Sequence, residues 1–402
     1  MFTIAQPERQ SRVEWLQLLG LLGLMGFGVA FIYSATLAHA VNTIPWYREA
    51  FVRQSLWYVI GLCAGAAVCV IDYRSICRWA LVAYWLTIVA LVLVLIPSIG
   101  TTHGWGARRW IDLGPFQFQP SEFAKIGFIL AFANFLSRPL EELRNGANFL
   151  KALGMVALPF LLIMAEPDLG SAIIFLPVSL VMMYVGGVPM AFLRRLLLGV
   201  GLLIVLFLVD VLYAPPQWQI KLHDYQKRRL LVYFGRDYAN EKMTPTQRQA
   251  AQHQQRNDSY NVEQALISVG SGGMLGKGWK RGTQNALGFL PRAVAHNDFI
   301  FSVIAEEKGF AGSVIVIALY SVVLFTGIRI AGQARDRLGK LLAVGVVTML
   351  ASHVFINIGM NIRLMPVTGV PLPLLSYGGS SVLCSLIAIG ILQNVNLYRR
   401  SY

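Results

Sequence analysis

Between Gly276 and Gly312 the chain gathers Lys277, Lys280, Arg281, His296, Asp298, Glu306, Glu307 and Lys308 among a series of glycines. Such a mixture can take a proton from a hydroxyl and hold an anion. Asp298 has the clearest chemistry of the group. It follows His296-Asn297 and precedes Phe299-Ile300-Phe301, the start of a long apolar run, so its carboxylate stands where a wet surface meets an apolar interior. A carboxylate there, beside a cationic strip whose glycines bend the backbone, suits a general base acting on a lipid-borne hydroxyl. Asp is also a common helix N-cap, and the residues alone leave both roles open.

Other ionisable residues interrupt apolar runs. Glu122 and Lys125 are three apart at the start of one run, so both project from one helix face and can pair. A charge at membrane depth must turn towards protein or a wet cavity, which makes the pair either cavity lining or an ion pair joining helices. Glu166-Pro167-Asp168 splits the apolar residues from Phe149 to Val188; proline costs a helix hydrogen bond, so a tight turn between two spans is expected, with Asp168 capping the second. Glu306, Glu307 and Lys308 lie about 12 Å along the helix from Asp298. Lys125 or basic groups of the opposite half are their expected partners, and a structural pairing competes with a functional one. From Asn357 to Ser381 three prolines, several glycines and Arg363 predict a re-entrant, non-helical path lining the same pocket as Asp298.

The elements that must position these residues are membrane helices. With 56% hydrophobic and 13% charged residues and a mean hydropathy of +0.57, the 402-residue chain cannot form an ordinary soluble domain. A bilayer core needs roughly 20 apolar residues as helix. Approximate spans are 15–35, 56–71, 79–96, 123–136, 149–164, 169–188, 196–212, 299–326, 341–358 and 382–395. The expected fold is therefore an all-α polytopic membrane protein of about ten helices, one domain over residues 1–402, whose first apolar stretch is a retained span. With the N-terminus cytoplasmic, fifteen Lys or Arg fall in inner loops and five in the short outer ones, so both termini are expected inside and residues 214–298 form a large extracytoplasmic loop between spans 7 and 8.

Up to Asn297 that loop holds twelve Lys or Arg and five Asp or Glu, a net +7, which fits either an anionic partner such as lipid phosphate or a merely solvated segment. Nucleic acid is not an expected partner. Within it, Lys221 to Phe234 is predicted as a basic amphipathic helix, Asp237 to Tyr260 as a polar mobile stretch and Asn261 to Val269 as a short helix. Cys63, Cys69, Cys77 and Cys384 have neither metal-ligand spacing nor a paired arrangement and read as core residues.

Several long motifs make the chain recognisable. QPSEFAK, EPDLGSA, GTQNALGFLP, HNDFIFSVIAEEKGFAG and NIRLMPVTGVPLPLLSYGGSS, in that order, resemble the shape, elongation, division and sporulation (SEDS) family of bacterial cell-wall proteins. Residues 357–360, 365–369 and 222–226 look more like its elongation branch, RodA, than its division branch, FtsW. The resemblance implies a peptidoglycan glycosyltransferase of the cell inner membrane that polymerises lipid II on the outer face, working with the cell-elongation machinery and a class B penicillin-binding protein. It maps the family's essential aspartate onto Asp298 and its cavity residues onto Arg109, Trp110, Glu122 and Lys125. The chain departs from the pattern with Arg292 and Asn297 in the stretch before Asp298, Glu166 where Gln is usual, Arg363 where a small residue is common, and a Gln-rich insert over 243–257.

On this reading Asp298 takes the proton from the acceptor 4-hydroxyl, while Arg108, Arg109, Lys277, Lys280, Arg281 and Arg363 supply the cations for the departing pyrophosphate, with inversion at the donor carbon. A divalent cation, Mg2+ or Mn2+, is compatible by charge, although no cluster of metal ligands stands out. The rival readings are a lipid II flippase with Glu122, Lys125, Glu306 and Glu307 as a polar path, an FtsW-like division enzyme, and a non-catalytic scaffold.

Overall fold

In the computed structural model the described residues are 13–37, 45, 47, 49–102, 108–114, 116–213, 230–235, 245–290 and 295–399. Helix α1 spans Trp15–Leu37, α2 Ala50–Val70, α3 Tyr73–Arg78 and α4 Ala80–Leu95. Strands β1 (Gly100–Thr101), β2 (Trp110–Asp112) and β3 (Gln117–Phe118) lead into α5 (Pro120–Leu136), α6 (Leu140–Leu143), α7 (Gly146–Ala165), α8 (Leu169–Val185) and α9 (Met190–Tyr213). Beyond them come α10 (Pro245–Ser271), α11 (Thr283–Ala286), α12 (Ile300–Gln333), α13 (Arg337–Asn361) and α14 (Gly379–Tyr398).

Seven of these helices, α1, α2, α7, α9, α12, α13 and α14, are long and apolar enough to cross a membrane. The shorter α4 and α8 are apolar too, and with α5 each of the ten apolar runs of the sequence is helical among the described residues. One end of the bundle carries the strands, the 166–168 turn, the approach to α12 and residues 362–378; this is the Asp298 end.

Helices α5 and α14 are the most enclosed, whereas α9 leaves Leu197, Leu198 and the run from Leu202 to Leu206 exposed, as a lipid-facing outer helix must. Close approach of α14 to α2 depends on small residues: a Cβ added to Gly65 would stand 2.8 Å from the Leu386 carbonyl oxygen, and one on Gly390 2.6 Å from that of Gly65. Without a hydrophobic drive between helices in lipid, such backbone contact is what joins them.

Three features depart from the expectations. Of the polar stretch read as mobile, residues 237–244 lie outside the described residues and the rest is helical, because α10 runs without a break from Pro245 to Ser271. Its Gln, Ala and Arg residues are good helix formers, Pro245 suits a first turn, and no breaker intervenes before Gly270; lack of apolar periodicity marked a polar helix, not the absence of one. Next, a small antiparallel sheet of order β1-β2-β3 joins α4 to α5, pairing Gly100 with Ile111 and Ile111 with Phe118. Finally α12 is interrupted at Gly309, whose φ of 63° and ψ of −158° are non-helical. Of the helix predicted over Lys221 to Phe234, residues 221–229 lie outside the described residues, and so do 291–294; Leu230 to Tyr233 are helical.

Candidate functional site

Asp298 sits in the turn that introduces α12. Phe299, not Asp298, occupies the capping position of that helix, and it makes no side-chain cap hydrogen bond. What fixes Asp298 is its backbone carbonyl, which accepts from Asn357 Nδ2 at 3.1 Å and Asn361 Nδ2 at 3.0 Å. These asparagines are four residues apart on α13, hence on one face, and both are buried. Ser302 Oγ donates to Asn361 Oδ1 at 2.6 Å, and Asn357 Nδ2 donates also to the Val370 carbonyl at 2.8 Å. The loop after α13 is thereby tied to the Asp298 turn. Ser376 Oγ donates to the Asn297 carbonyl at 2.6 Å and the Tyr377 amide to the His296 carbonyl at 3.0 Å. Gly369, at φ 75°, lies so close that a Cβ added to it would stand 3.6 Å from Asp298 Oδ2. Half-buried Asp298 thus rests against the 366–378 loop; of the path predicted as non-helical over 357–381, residues 362–378 are so, while 357–361 continue α13 and 379–381 begin α14.

Arg109 and Trp110 stand at the sheet. Trp110 pairs with Thr101 across it, and exposed Arg108 precedes them. Arg109 donates through Nη2 to the Pro167 carbonyl, and its Nη1 lies 4.0 Å from Asp168 Oδ1. Asp168 does cap α8, accepting from the Ser171 amide at 3.2 Å, yet it also accepts from Gln119 Nε2 and Ser121 Oγ, each at 3.3 Å. Fully buried Glu166 has no hydrogen-bond partner for either carboxylate oxygen among the described residues. Burial first, then the charge of Asp168, pushes its carboxyl up to about 9, with Arg109 opposing.

In the bundle interior Lys125 Nζ lies 2.6 Å from Glu122 Oε1, both residues almost fully buried. The ammonium also meets His353 Nε2 at 2.8 Å. His353 Nδ1 faces the Met349 carbonyl at 2.8 Å, and a carbonyl only accepts, so Nδ1 carries the hydrogen and Nε2 accepts from Lys125. The sequence reading missed His353, although a histidine inside an apolar span is itself a signal.

Glu306 and Glu307 take partners other than those expected. Glu306 accepts through Oε1 from Lys277 Nζ at 2.7 Å, from Thr283 Oγ1 at 3.1 Å and from the Gln284 amide at 2.9 Å. Glu307 accepts from Ser34 Oγ on α1. Lys125 is thus committed to Glu122 and His353, while the glycine-rich strip folds back to reach α12; glycine's permissive backbone lets the strip come within hydrogen-bonding distance of a helix, which spacing along the chain cannot reveal. Lys280 lies over the Tyr33 ring at 4.3 Å and the Trp279 ring at 4.5 Å, and Arg281 is exposed.

With this geometry in place, comparison with known proteins is decisive. A family model described as Cell cycle protein, for the FtsW, RodA and SpoVE proteins, matches residues 15–401. The chain belongs to the FtsW/RodA/SpoVE family. Among its relatives, the peptidoglycan glycosyltransferase MrdB of Escherichia coli (strain K12) is 36% identical over 324 residues, covering 80% of this chain and 79% of that one. A solved structure titled for the coordination of polymerization and crosslinking by a peptidoglycan synthase complex superposes with a TM-score of 0.75 at 27% identity, covering 97% of this chain and 99% of that one. The rod shape determining protein RodA of Thermus thermophilus superposes with a TM-score of 0.66 at 26% identity, covering 96% and 98%.

In this FtsW/RodA/SpoVE protein the candidate residues form separate groups along the Asp298 end and into the interior. The structure joins Glu122 to Lys125, Arg109 to Asp168, Lys277 to Glu306, and Asp298 to the 366–378 loop. Arg363 precedes that last loop, just after α13, with an exposed side chain and a left-handed φ of 59°. Among the described residues no group of three or more His, Cys, Asp or Glu is placed to hold a metal ion.

Proposed function

We propose that this protein is a peptidoglycan glycosyltransferase that polymerises lipid II during cell elongation. It acts at the outer face of the cytoplasmic membrane, with both termini inside. The observation that carries this reading is the half-buried Asp298 carboxylate at the head of a membrane helix, its backbone pinned by Asn357 and Asn361 and its Oδ2 against Gly369. The names of the relatives support the chemistry.

Asp298 accepts the proton of the acceptor 4-hydroxyl as that oxygen attacks the donor sugar carbon from the side opposite the diphosphate. The bond from that carbon to the diphosphate oxygen breaks, its electron pair leaves with the undecaprenyl diphosphate, and the configuration inverts. Exposed Arg108, Lys280, Arg281 and Arg363 bind the diphosphate in the donor and hold it as it departs, while Arg109 and Lys277, held by Asp168 and Glu306, orient their segments. Mg2+ or Mn2+ would add charge neutralisation chiefly through the diphosphate itself. The partner is a class B penicillin-binding protein that crosslinks the product, supported by the likeness to a complex that couples polymerization with crosslinking.

Purified protein given lipid II in detergent tests the proposal. Glycan chains are expected; a preparation that moves lipid II across vesicles yet polymerises nothing in detergent would make it a flippase instead, since detergent removes any need for transport.

A further inference from the structure

The segment from Gly272 to Gln284 does not hang from the bundle; it is stitched into the break of α12. Lys277 and Gly278 amides donate to the carbonyls of Glu306 and Glu307, each at 3.0 Å, and the Phe310 and Ala311 amides donate back to Gly273 and Met274 at 2.8 and 3.0 Å. Gly309 frees these groups by leaving helical geometry, and added Cβ atoms at Gly272, Gly276 or Gly309 would collide with the facing backbone. One carboxylate closes the far side of this seam. Glu306 is 1% exposed, and its Oε1 receives the Lys277 ammonium, the Thr283 hydroxyl and the Gln284 amide, while Lys277 Nζ also reaches Thr283 Oγ1 at 2.6 Å.

Between the two fastened ends of this seam stand Lys280 and Arg281. A Cβ added to Gly278 would lie 3.3 Å from Arg281 Cδ, so the glycine leaves room for the arginine stem to fold across it. The Lys280 ammonium lies against Tyr33 of α1. Asp298 introduces the same helix, α12, on which Glu306 lies, about 12 Å away along its axis. The proton acceptor and the loop bearing two cations are therefore registered to one rigid element.

We propose that Glu306 is a positioning residue: through Lys277, Thr283 and Gln284 it fixes the 272–284 loop so that Lys280 and Arg281 meet the diphosphate of the lipid-linked sugar. The inference rests on the glycosyltransferase reading. Because the diphosphate is present before and during reaction, loss of this positioning weakens substrate binding more than the chemical step.

The test is a kinetic cycle on the full-length protein with lipid II in detergent, using wild type, Arg281→Ala, Glu306→Gln, Lys277→Met and Glu306→Gln/Arg281→Ala. Removing one charge-assisted contact should raise KM about tenfold in Arg281→Ala, with kcat within about twofold. Glu306→Gln and Lys277→Met should each raise KM by a similar factor. The double variant should be no worse than either single, because a misplaced loop no longer presents Arg281. KM effects that multiply, or a fall in kcat at unchanged KM, would overturn the role; Lys277→Met answers the same question if Glu306→Gln does not fold. Wild-type protein that makes no polymer sinks the glycosyltransferase reading itself, whereas active wild type with independent effects sinks only this inference.

Discussion

Asn357→Ala isolates how Asp298 is held without touching its carboxylate. Asn357 Nδ2 bridges the Asp298 carbonyl at 3.1 Å and the Val370 carbonyl at 2.8 Å, so truncation removes both bonds from a fully buried site, along with the long one its Oδ1 accepts from Asn361 Nδ2 at 3.3 Å. Each carbonyl bond is worth about 1 kcal/mol net, and a stranded buried carbonyl costs about 1–3 kcal/mol. Because Asn361 Nδ2 still serves the Asp298 carbonyl at 3.0 Å, only Val370 loses what Asn357 gave it without that backup, and a total of about 2–4 kcal/mol follows. The turn bearing Asp298 and the loop bearing Gly369 are then no longer tied through one side chain. A shift of about 1 Å in a reacting group costs roughly 10²-fold in rate. Polymerisation of lipid II in detergent should fall by about that factor in kcat with little change in KM, and thermal unfolding should show the stability loss. A variant that is destabilised as calculated yet polymerises at the wild-type rate would refute the positioning argument.

Glu166→Gln should stabilise the protein increasingly as pH rises. The folded carboxyl is raised from the ordinary 4.5 to about 9, so the unfolded chain loses its proton first: the cost of burial is absent below 4.5, grows with pH, and levels off above 9. The gain at pH 7 is at most about 3 kcal/mol, and unfolding temperatures of the two proteins at pH 4, 7 and 9 should diverge accordingly; parallel curves would contradict the assignment. Lys125→Met leaves Glu122 buried without its cation and should cost about 3–5 kcal/mol, with much of the loss recovered by adding Glu122→Gln. Thermal unfolding in detergent measures both. Gly309→Ala forces a side chain into a backbone region only glycine accepts, costing about 1–3 kcal/mol, and its Cβ would strike the Gly276 amide. Faster proteolysis within residues 272–284 is the expected sign, and an unchanged digestion pattern the contrary one.

Features that depend on neighbours along one helix were legible in the sequence. The helices of the ten apolar runs followed from run length, the Glu122–Lys125 pair from a spacing of three, and the Asp168 cap from its place after a proline. Features that depend on contacts between distant segments were not. Spacing says nothing of Glu306 meeting Lys277 across 29 residues, or of the two-residue strands that pair around 100–118. Helix α10 was misjudged for a different reason: without an apolar stripe, only propensity supports a helix, and amphipathic periodicity was the wrong measure. Asn357 and Asn361 carried a usable signal, two amides at helical spacing within an apolar span, where polar groups are seldom without purpose.

The central claim is that the Asp298 carboxylate removes a proton from the incoming sugar hydroxyl. Its most direct measurement compares glycan chains made from lipid II in detergent by wild type, Asp298→Ala and Asp298→Asn, at equal protein level and with binding to the partner checked separately. Polymerisation should fall by at least about 10²-fold in both variants while folding and partner binding persist. Chains formed by either variant at the wild-type rate would contradict the account.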